Sequence, residues 1–295
     1  MSLPIRLATP CLTRYNPHQS MRENPSESAA ASPGLRDRFR ELLLRVRGRH
    51  FTPHHVIALY FNTVGLASRL NYPRYRWLTC WKPPLRLHLG CGPVYIPGWI
   101  NIDGLLVWKT DVFLDIRAGL PFPNNSVEGI YTCHTLEHFE IGPMLGILRE
   151  MHRVLIPGGG FRIVVPNLER AIDAYIALRA ADQQHTAADG HAVRYADGRD
   201  IPCPSRHGHF ESRGARFNWD TLCDNQHPVM FDFTFLSELL QTAGAWTDVQ
   251  QTAALRSIFM TDKDLHVAEG GRIDYINDSL VVEGRKAETS HVPGT

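Results

Sequence analysis

The 295-residue chain lacks the marks that would place it in several large classes. Its six cysteines, at 11, 80, 91, 133, 203 and 223, form no CxxC pair. That is reduced, cytosolic usage and not a disulfide framework. There is no long apolar run either. The opening MSLPIRLATPCLTRY has no uninterrupted apolar core of signal-peptide length. The longest apolar region, Val56–Leu70, carries Asn62, Thr63, Ser68 and Arg69, and is too short and too polar to span a bilayer. These absences predict a soluble, cytoplasmic protein without a transmembrane segment. Charge of one sign is also missing: 31 Lys and Arg stand against 30 Asp and Glu, so no basic excess calls for a nucleic-acid partner. Neither a Gly-Lys-Ser/Thr phosphate loop nor an HExxH zinc helix occurs.

What is present begins at Leu85, in LRLHLGCGPVYIPGWINID. Leu85, Leu87 and Leu89 alternate with Arg86 and His88, which predicts a strand aimed into a sheet. The run stops at Gly90-Cys91-Gly92, where two residues without Cβ let backbone pass close to a ligand. A second short strand, Trp99–Ile102, ends on Asp103. Strand, glycine turn, strand and terminal carboxylate build a nucleoside site at the carboxyl ends of an open α/β sheet. A dinucleotide site would need a third glycine, a helix facing the pyrophosphate and an acid about 20 residues on. Here Pro93, Pro97 and Gly98 interrupt that helix, and Asp103 comes eleven residues after Gly92. The spacing suits an adenosyl ligand without a pyrophosphate.

With LDI at 114–116, YTCHTLEH at 131–138 and LIPGGGFRIVVPN at 155–167, the chain resembles the class I S-adenosylmethionine-dependent methyltransferases. The nearest likeness is to the small-molecule subgroup with a type 11-like domain. The resemblance covers residues 85–167 well and 228–286 loosely. It implies an α/β, Rossmann-like, mainly parallel seven-stranded sheet with helices on both faces, and S-adenosylmethionine as cofactor. It also implies methyl transfer to an oxygen or nitrogen of a small-molecule or glycan-type acceptor.

Around this domain, residues 1–34 are poor in large apolar groups and read as a disordered leader. Residues 35–84 form an N-terminal helical extension. In its first helix, Leu35, Phe39, Leu42, Leu43 and Val46 share a face and six arginines fill the others. That helix, 35–49, either packs on the core with a solvated arginine face or meets an anionic surface at the membrane periphery or on a carrier. The methyltransferase-like domain runs from 85 to 286, with strands predicted at 85–90, 99–103, 112–115, 128–132 and 161–165. A helix over 142–155 is predicted to end at Pro157-Gly158-Gly159-Gly160. Residues 183–228, after the fifth strand, are rich in His, Gly, Asp and Arg without periodicity, and read as a lid-like insertion. A helix over 235–243 and strands at 246–250 and 279–283 follow, then a tail at 287–295.

Carried onto this chain, the resemblance places the methionine part of the cofactor over Leu89, Gly90, Cys91 and Gly92, whose backbone N–H groups can face its carboxylate. It puts the ribose hydroxyls on Asp103 and the adenine against Asp115 and the Ile116 backbone, with Asp111 as an alternative to Asp115. Cys133 ends the fourth strand beside the cofactor. Beyond it, His134 and His138 are i,i+4 neighbours if a helical turn begins there. The reading sets His134 near the cofactor and His138 on the acceptor, and counts Glu137 among the catalytic candidates. The alternative is that Glu137 and His138 brace the loop. His227 is read as an acceptor-pocket residue. No metal site is assigned: Cys203, His207, His209, Cys223 and His227 match no standard ligand spacing. Three rivals remain: a nicotinamide-dependent reductase, an S-adenosylmethionine-binding interaction protein without catalysis, and an enzyme using the cofactor for other chemistry.

Overall fold

A computed structural model describes residues 85–105, 109–183, 213–223 and 226–288. The leader, the 35–84 extension with its arginine-rich helix, most of the 183–228 insertion and the tail beyond 288 lie outside the described residues.

Seven strands form one sheet: β1 (Leu85–Leu89), β2 (Ile100–Asp103), β3 (Val112–Phe113), β4 (Val127–Cys133), β5 (Leu155–Pro166), β6 (Trp246–Gln251) and β7 (Ser279–Lys286). Their order is β3-β2-β1-β4-β5-β7-β6. The pairs from β3 through β5 are parallel, and β7 runs antiparallel to both its neighbours. This is the mainly parallel α/β sheet that alternating strand and helix patterns predict.

Both faces are covered, because the strands are apolar on both sides. On one face Leu87, Ile130, Ile163 and Val282 pack with Met144, Ile147, Leu148 and Met151, the buried stripe of α1 (Ile141–Val154). Helix α4 (Phe233–Ala243) joins them through Leu236, Leu239 and Leu240. On the other face Tyr131, Cys133, Val164 and Val281 pack with Leu265 and Ala268 of α5 (Asp262–Glu269) and Ile276 of α6 (Ile273–Asn277). Asp232 caps α4 by accepting from Phe235 N at 2.7 Å, which fixes where the chain re-enters the core.

Two details depart from the sequence reading. Helix α1 ends at Val154, before Pro157. The glycine run instead forms a bulge at the start of β5, with Gly158 at φ +76°, and pairing resumes at Gly129–Gly160. The Phe259 ring packs so closely on Gly129 and Gly160, where pairing resumes, that a Cβ at either position would collide with it. Within the insertion, residues 213–222 are helical: α3 (Arg213–Leu222) packs on α2 (Leu168–Gln183), with Phe217 and Tyr175 edge to face at 5.6 Å. Helices α5 and α6 went unread because each is shorter than three turns. No helix among the described residues is long and apolar enough to cross a membrane.

Candidate active site

The sheet order reverses between β1 and β4, where an open α/β sheet leaves a crevice at its carboxyl end. The glycine turn after β1 lies in that crevice. Gly90 and Gly92 adopt φ of +63° and +51°, the left-handed region that glycine tolerates best. Gly90 also lies so close to Thr135, just past β4, that a Cβ would collide with the Thr135 side chain. The Thr135 hydroxyl reaches the carbonyls of Gly90 and Cys133 at 3.4 and 3.3 Å.

Asp103 ends β2 and is 7% exposed. Its Oδ2 accepts from Gly92 N at 2.9 Å and its Oδ1 from Leu105 N at 2.7 Å. Burial raises its pKa, and those two N–H groups act against the shift. A carboxylate offers about four acceptor positions, so the two oxygens keep capacity beyond these bonds. Cys91 N–H is donated to Ile102 O at 3.1 Å. In this conformation neither the Cys91 nor the Gly92 N–H faces an incoming carboxylate, contrary to the sequence reading. The buried Cys91 thiol is pushed up to about 12, by burial first and then by Asp103 and Asp111, so it is held as a thiol. Leu89 is fully buried and meets the site only through its backbone.

Asp115 and Asp111, the two alternatives of the sequence reading, differ in position and partners. Asp111 accepts from Asn101 N at 2.8 Å, Asn101 Nδ2 at 3.0 Å and the Tyr95 hydroxyl at 2.9 Å. It precedes β3 and braces the start of β2, away from the carboxyl end. Asp115 follows β3 and begins the 3-10 turn Ile116–Ala118, within which Ile116 is buried. Its carboxylate is gripped by Arg117 through Nε at 3.0 and 3.1 Å and a terminal nitrogen at 2.8 Å. Asp115 thus lies at the carboxyl end of β3, with both oxygens already engaged.

The turn after β4 is the most polar part of the crevice. Cys133 is buried, with its thiol raised to about 11 chiefly by burial. His134 takes φ +51°, an uncommon conformation outside glycine, and its ring stacks on Tyr275 at 4.2 Å. His134 Nε2 lies 2.8 Å from the Ser279 hydroxyl, which itself donates to Tyr275 O. With that hydroxyl proton spent, Nε2 is the donor. His134 Nδ1 lies 2.9 Å from Glu137 Oε1. The contact has the distance of an ion pair without the direction of a hydrogen bond. Glu137 is fully buried, and neither carboxylate oxygen has a hydrogen-bond partner among the described residues. Burial pushes its pKa up, but the charges of His134 and then His138 outweigh this and leave it below the usual carboxylate range.

His138 is exposed, and its Nδ1 lies 3.0 Å from Gln226 O. A carbonyl can only accept, so Nδ1 carries a proton toward it, which leaves Nε2 as the ring nitrogen turned to the crevice. His227 packs edge-on against it at 5.0 Å. Residues 226–231 return from the insertion to the core, where Phe231 bridges to Asn167 at the end of β5, and this brings His227 to the crevice. Its Nδ1 is buried without a hydrogen-bond partner among the described residues, and burial lowers its pKa to about 4. Donor atoms of Glu137, His138 and His227 lie within 4.8 Å of one another. The sequence reading thus named all three residues without seeing that they converge. Thr135, in the same motif, was passed over; its signal is a small polar residue facing a glycine turn.

A hollow of about 430 Å³ opens at the amino ends of the strands, lined by Arg86, Glu128, Phe259 and Arg285 among others. Its charged groups are satisfied locally: Arg86 pairs with Glu128 and Asp264 at 3.3 and 3.4 Å, and Arg285 donates to Gly158 O and Ile258 O. Ligands of open α/β sheets bind at the opposite end, so the glycine turn and not this hollow marks the site.

A family model described as a methyltransferase domain matches residues 107–163, the segment from β3 through most of β5. No curated protein matches the chain. Among solved structures, the chain is similar to a SAM-dependent methyltransferase from Archaeoglobus fulgidus, at 16% identity over 74% of this chain and 95% of that one, with a TM-score of 0.39. A SAM-dependent methyltransferase from Thermotoga maritima shows 13% identity over 76% and 91%, at a TM-score of 0.37. A Haemonchus contortus phosphoethanolamine N-methyltransferase 2, in complex with phosphomonomethylethanolamine and S-adenosylhomocysteine, shows 13% identity over 76% of this chain and 52% of that one, at a TM-score of 0.37.

Proposed function

We propose that this chain, whose matched segment and strand order support a class I S-adenosylmethionine-dependent methyltransferase, methylates an oxygen or nitrogen of a small-molecule or glycan-type acceptor. The observation that carries the reading is the Gly90–Gly92 turn held over Asp103. The turn has no side chain to obstruct a ligand, and the buried carboxylate keeps acceptor positions beyond Gly92 N and Leu105 N. Those are the requirements of a ribose diol seated on the end of β2. The backbone of Leu89, Gly90, Cys91 and Gly92 would pass beneath the methionine part without donating the Cys91 and Gly92 N–H groups to it, Asp115 and Ile116 would flank the adenine, and Cys133 would line the wall.

S-adenosylmethionine supplies an activated methyl on a sulfonium, so the protein's own work is chiefly alignment. Well-oriented pairs reach effective molarities of roughly 10⁵–10⁸ M. His134 is fixed on both ring nitrogens and by Tyr275, so it holds the Glu137 carboxylate in place. His138 keeps its Nε2 turned to the crevice and meets the acceptor together with His227. Acceptor selection falls to the two segments outside the cofactor motifs, the arginine-rich 35–49 stretch and the 183–228 insertion, since the cofactor-facing motifs leave no other candidate.

The test is a screen of the full chain with methyl-labelled cofactor against hydroxylated and aminated small molecules, including free and carrier-linked sugars. Label transferred to one acceptor class, and lost in His138→Ala with cofactor affinity intact, supports the reading. Cofactor binding with no transfer to any class would favour the non-catalytic alternative.

A further inference from the structure

We propose that Glu137, His138 and His227 form a binding site for one divalent first-row transition cation, with its open positions facing the acceptor side of the crevice. Three independent features of the donors point to a cation. Two nitrogens and one carboxylate oxygen lie within 4.8 Å of one another. That is the donor set of three-ligand catalytic sites, which leave further positions for water or substrate. Among the described residues, the fully buried Glu137 carboxylate has no hydrogen bond to either oxygen and only the His134 ion-pair contact at Oε1, and the buried His227 Nδ1 has no hydrogen-bond partner. Such groups cost free energy unless something satisfies them, and a cation between them would.

The surrounding contacts are those of ligands already oriented. His138 gives its Nδ1–H to the Gln226 carbonyl at 3.0 Å, which fixes the tautomer and leaves Nε2 as the ligand atom. Metal-bound histidines regularly use a backbone carbonyl in this way. His134 holds Glu137 Oε1 at 2.9 Å, which leaves Oε2 for the cation. Metal bonds of about 2.0–2.1 Å place tetrahedral donors roughly 3.4 Å apart, so closure from the observed separation needs about an ångström of side-chain movement. The exposed His138 is free to make it. Nitrogen donors disfavour Mg²⁺ and Ca²⁺, which prefer all-oxygen shells, and favour Zn²⁺, Co²⁺, Fe²⁺ or Mn²⁺.

The site lies beside Thr135, and hence beside the Gly90 turn. On the methyltransferase reading, on which this clause rests, the cation binds an acceptor oxygen. It lowers that hydroxyl's pKa, as it does for bound water; the O–H bond breaks and the proton leaves to solvent. His138 then acts as a ligand and not as a proton carrier, and the acceptor class narrows to hydroxylated molecules.

The experiment titrates chelator-treated, full-length protein with Zn²⁺ by calorimetry and with Co²⁺ by visible absorption. One ion per chain is expected, with the Co²⁺ bands of a low-symmetry nitrogen–oxygen site. His138→Ala, at an exposed position, and His227→Ala should each weaken binding by about 10²-fold, with circular dichroism and S-adenosylhomocysteine affinity unchanged. Glu137→Gln, which keeps the side chain's shape, should do the same. Stoichiometric uptake that is equal in wild type and all three variants overturns the site, as does the absence of uptake. Metal binding without S-adenosylhomocysteine binding would leave the site standing and remove the methyltransferase reading; the reverse result would remove the site alone.

Discussion

Gly90 and Thr135 are pressed together across the β1–β4 seam, so that a single added Cβ on Gly90 would enter the Thr135 side chain. The contact joins the two halves of the crevice: the turn that would carry a cofactor and the polar turn that would meet the acceptor. Gly90→Ala meets two penalties, the collision and the positive φ, and a left-handed non-glycine residue costs about 1–3 kcal/mol by itself. Denaturant unfolding should show a loss of at least that size. Adding Thr135→Ala, which removes Oγ1 and Cγ2 but not the φ, should recover part of it. An unperturbed midpoint in the single variant would contradict the packing described.

A second prediction concerns acid stability. His88 is 1% exposed, its Nδ1 lies 3.1 Å from Asn101 Oδ1, and burial lowers its pKa to about 4. The unfolded chain takes up this proton near pH 6.5 while the folded chain refuses it until about pH 4. Stability from this residue is therefore complete above about pH 6.5 and lost as pH falls toward 4, by about 3 kcal/mol in all. His88→Asn should flatten the dependence of unfolding free energy on pH across that window. An identical slope in wild type and variant would show that His88 is not the group responsible.

Arg162 supplies a third. It is fully buried, and all five of its N–H groups are used: Glu269 takes two at 2.7 and 2.9 Å, Glu283 one at 3.0 Å, and the carbonyls of Arg256 and Ala253 the others. Arg162→Met strands two buried carboxylates and should cost about 3–5 kcal/mol in equilibrium unfolding. Neutralising the partners as well, with Glu269→Gln and Glu283→Gln, should restore much of that. A single variant as stable as wild type would mean the carboxylates are not held charged by Arg162.

The order of these elements was legible in the chain to an uneven degree. Alternation around Leu85–Leu89 and the stripe Met144–Met151 reflect burial on one or both faces, and periodicity reads that directly. The bulge at Pro157–Gly160 was not legible, because a Pro-Gly run reads equally as a helix stop, and the Phe259 ring that packs on Gly129 and Gly160 comes from far along the chain. The Asn101 network was missed for a similar reason: a lone polar residue in INID looks outward-facing until Ile96, His88 and Asp111 are seen around it. At the site, the residue types in CHTLEH announced chemistry. Their convergence with His227 comes from tertiary structure, through the return of residues 226–231 to the end of β5. Asp115 marks the limit of motif reading: the motif places it just after β3, but not that Arg117 two residues on takes hold of the carboxylate.

The most direct test of the central claim is calorimetry of S-adenosylmethionine and S-adenosylhomocysteine on wild type and on Asp103→Ala, with the fold of the variant checked by circular dichroism. The structure leaves Asp103 acceptor positions beyond Gly92 N and Leu105 N, and hydrogen bonds to a charged acceptor are worth about 1.5–3 kcal/mol. The account predicts binding by wild type, weakened roughly 10- to 150-fold in the variant. Equal affinity in a folded Asp103→Ala protein, or no binding by wild type, would contradict it.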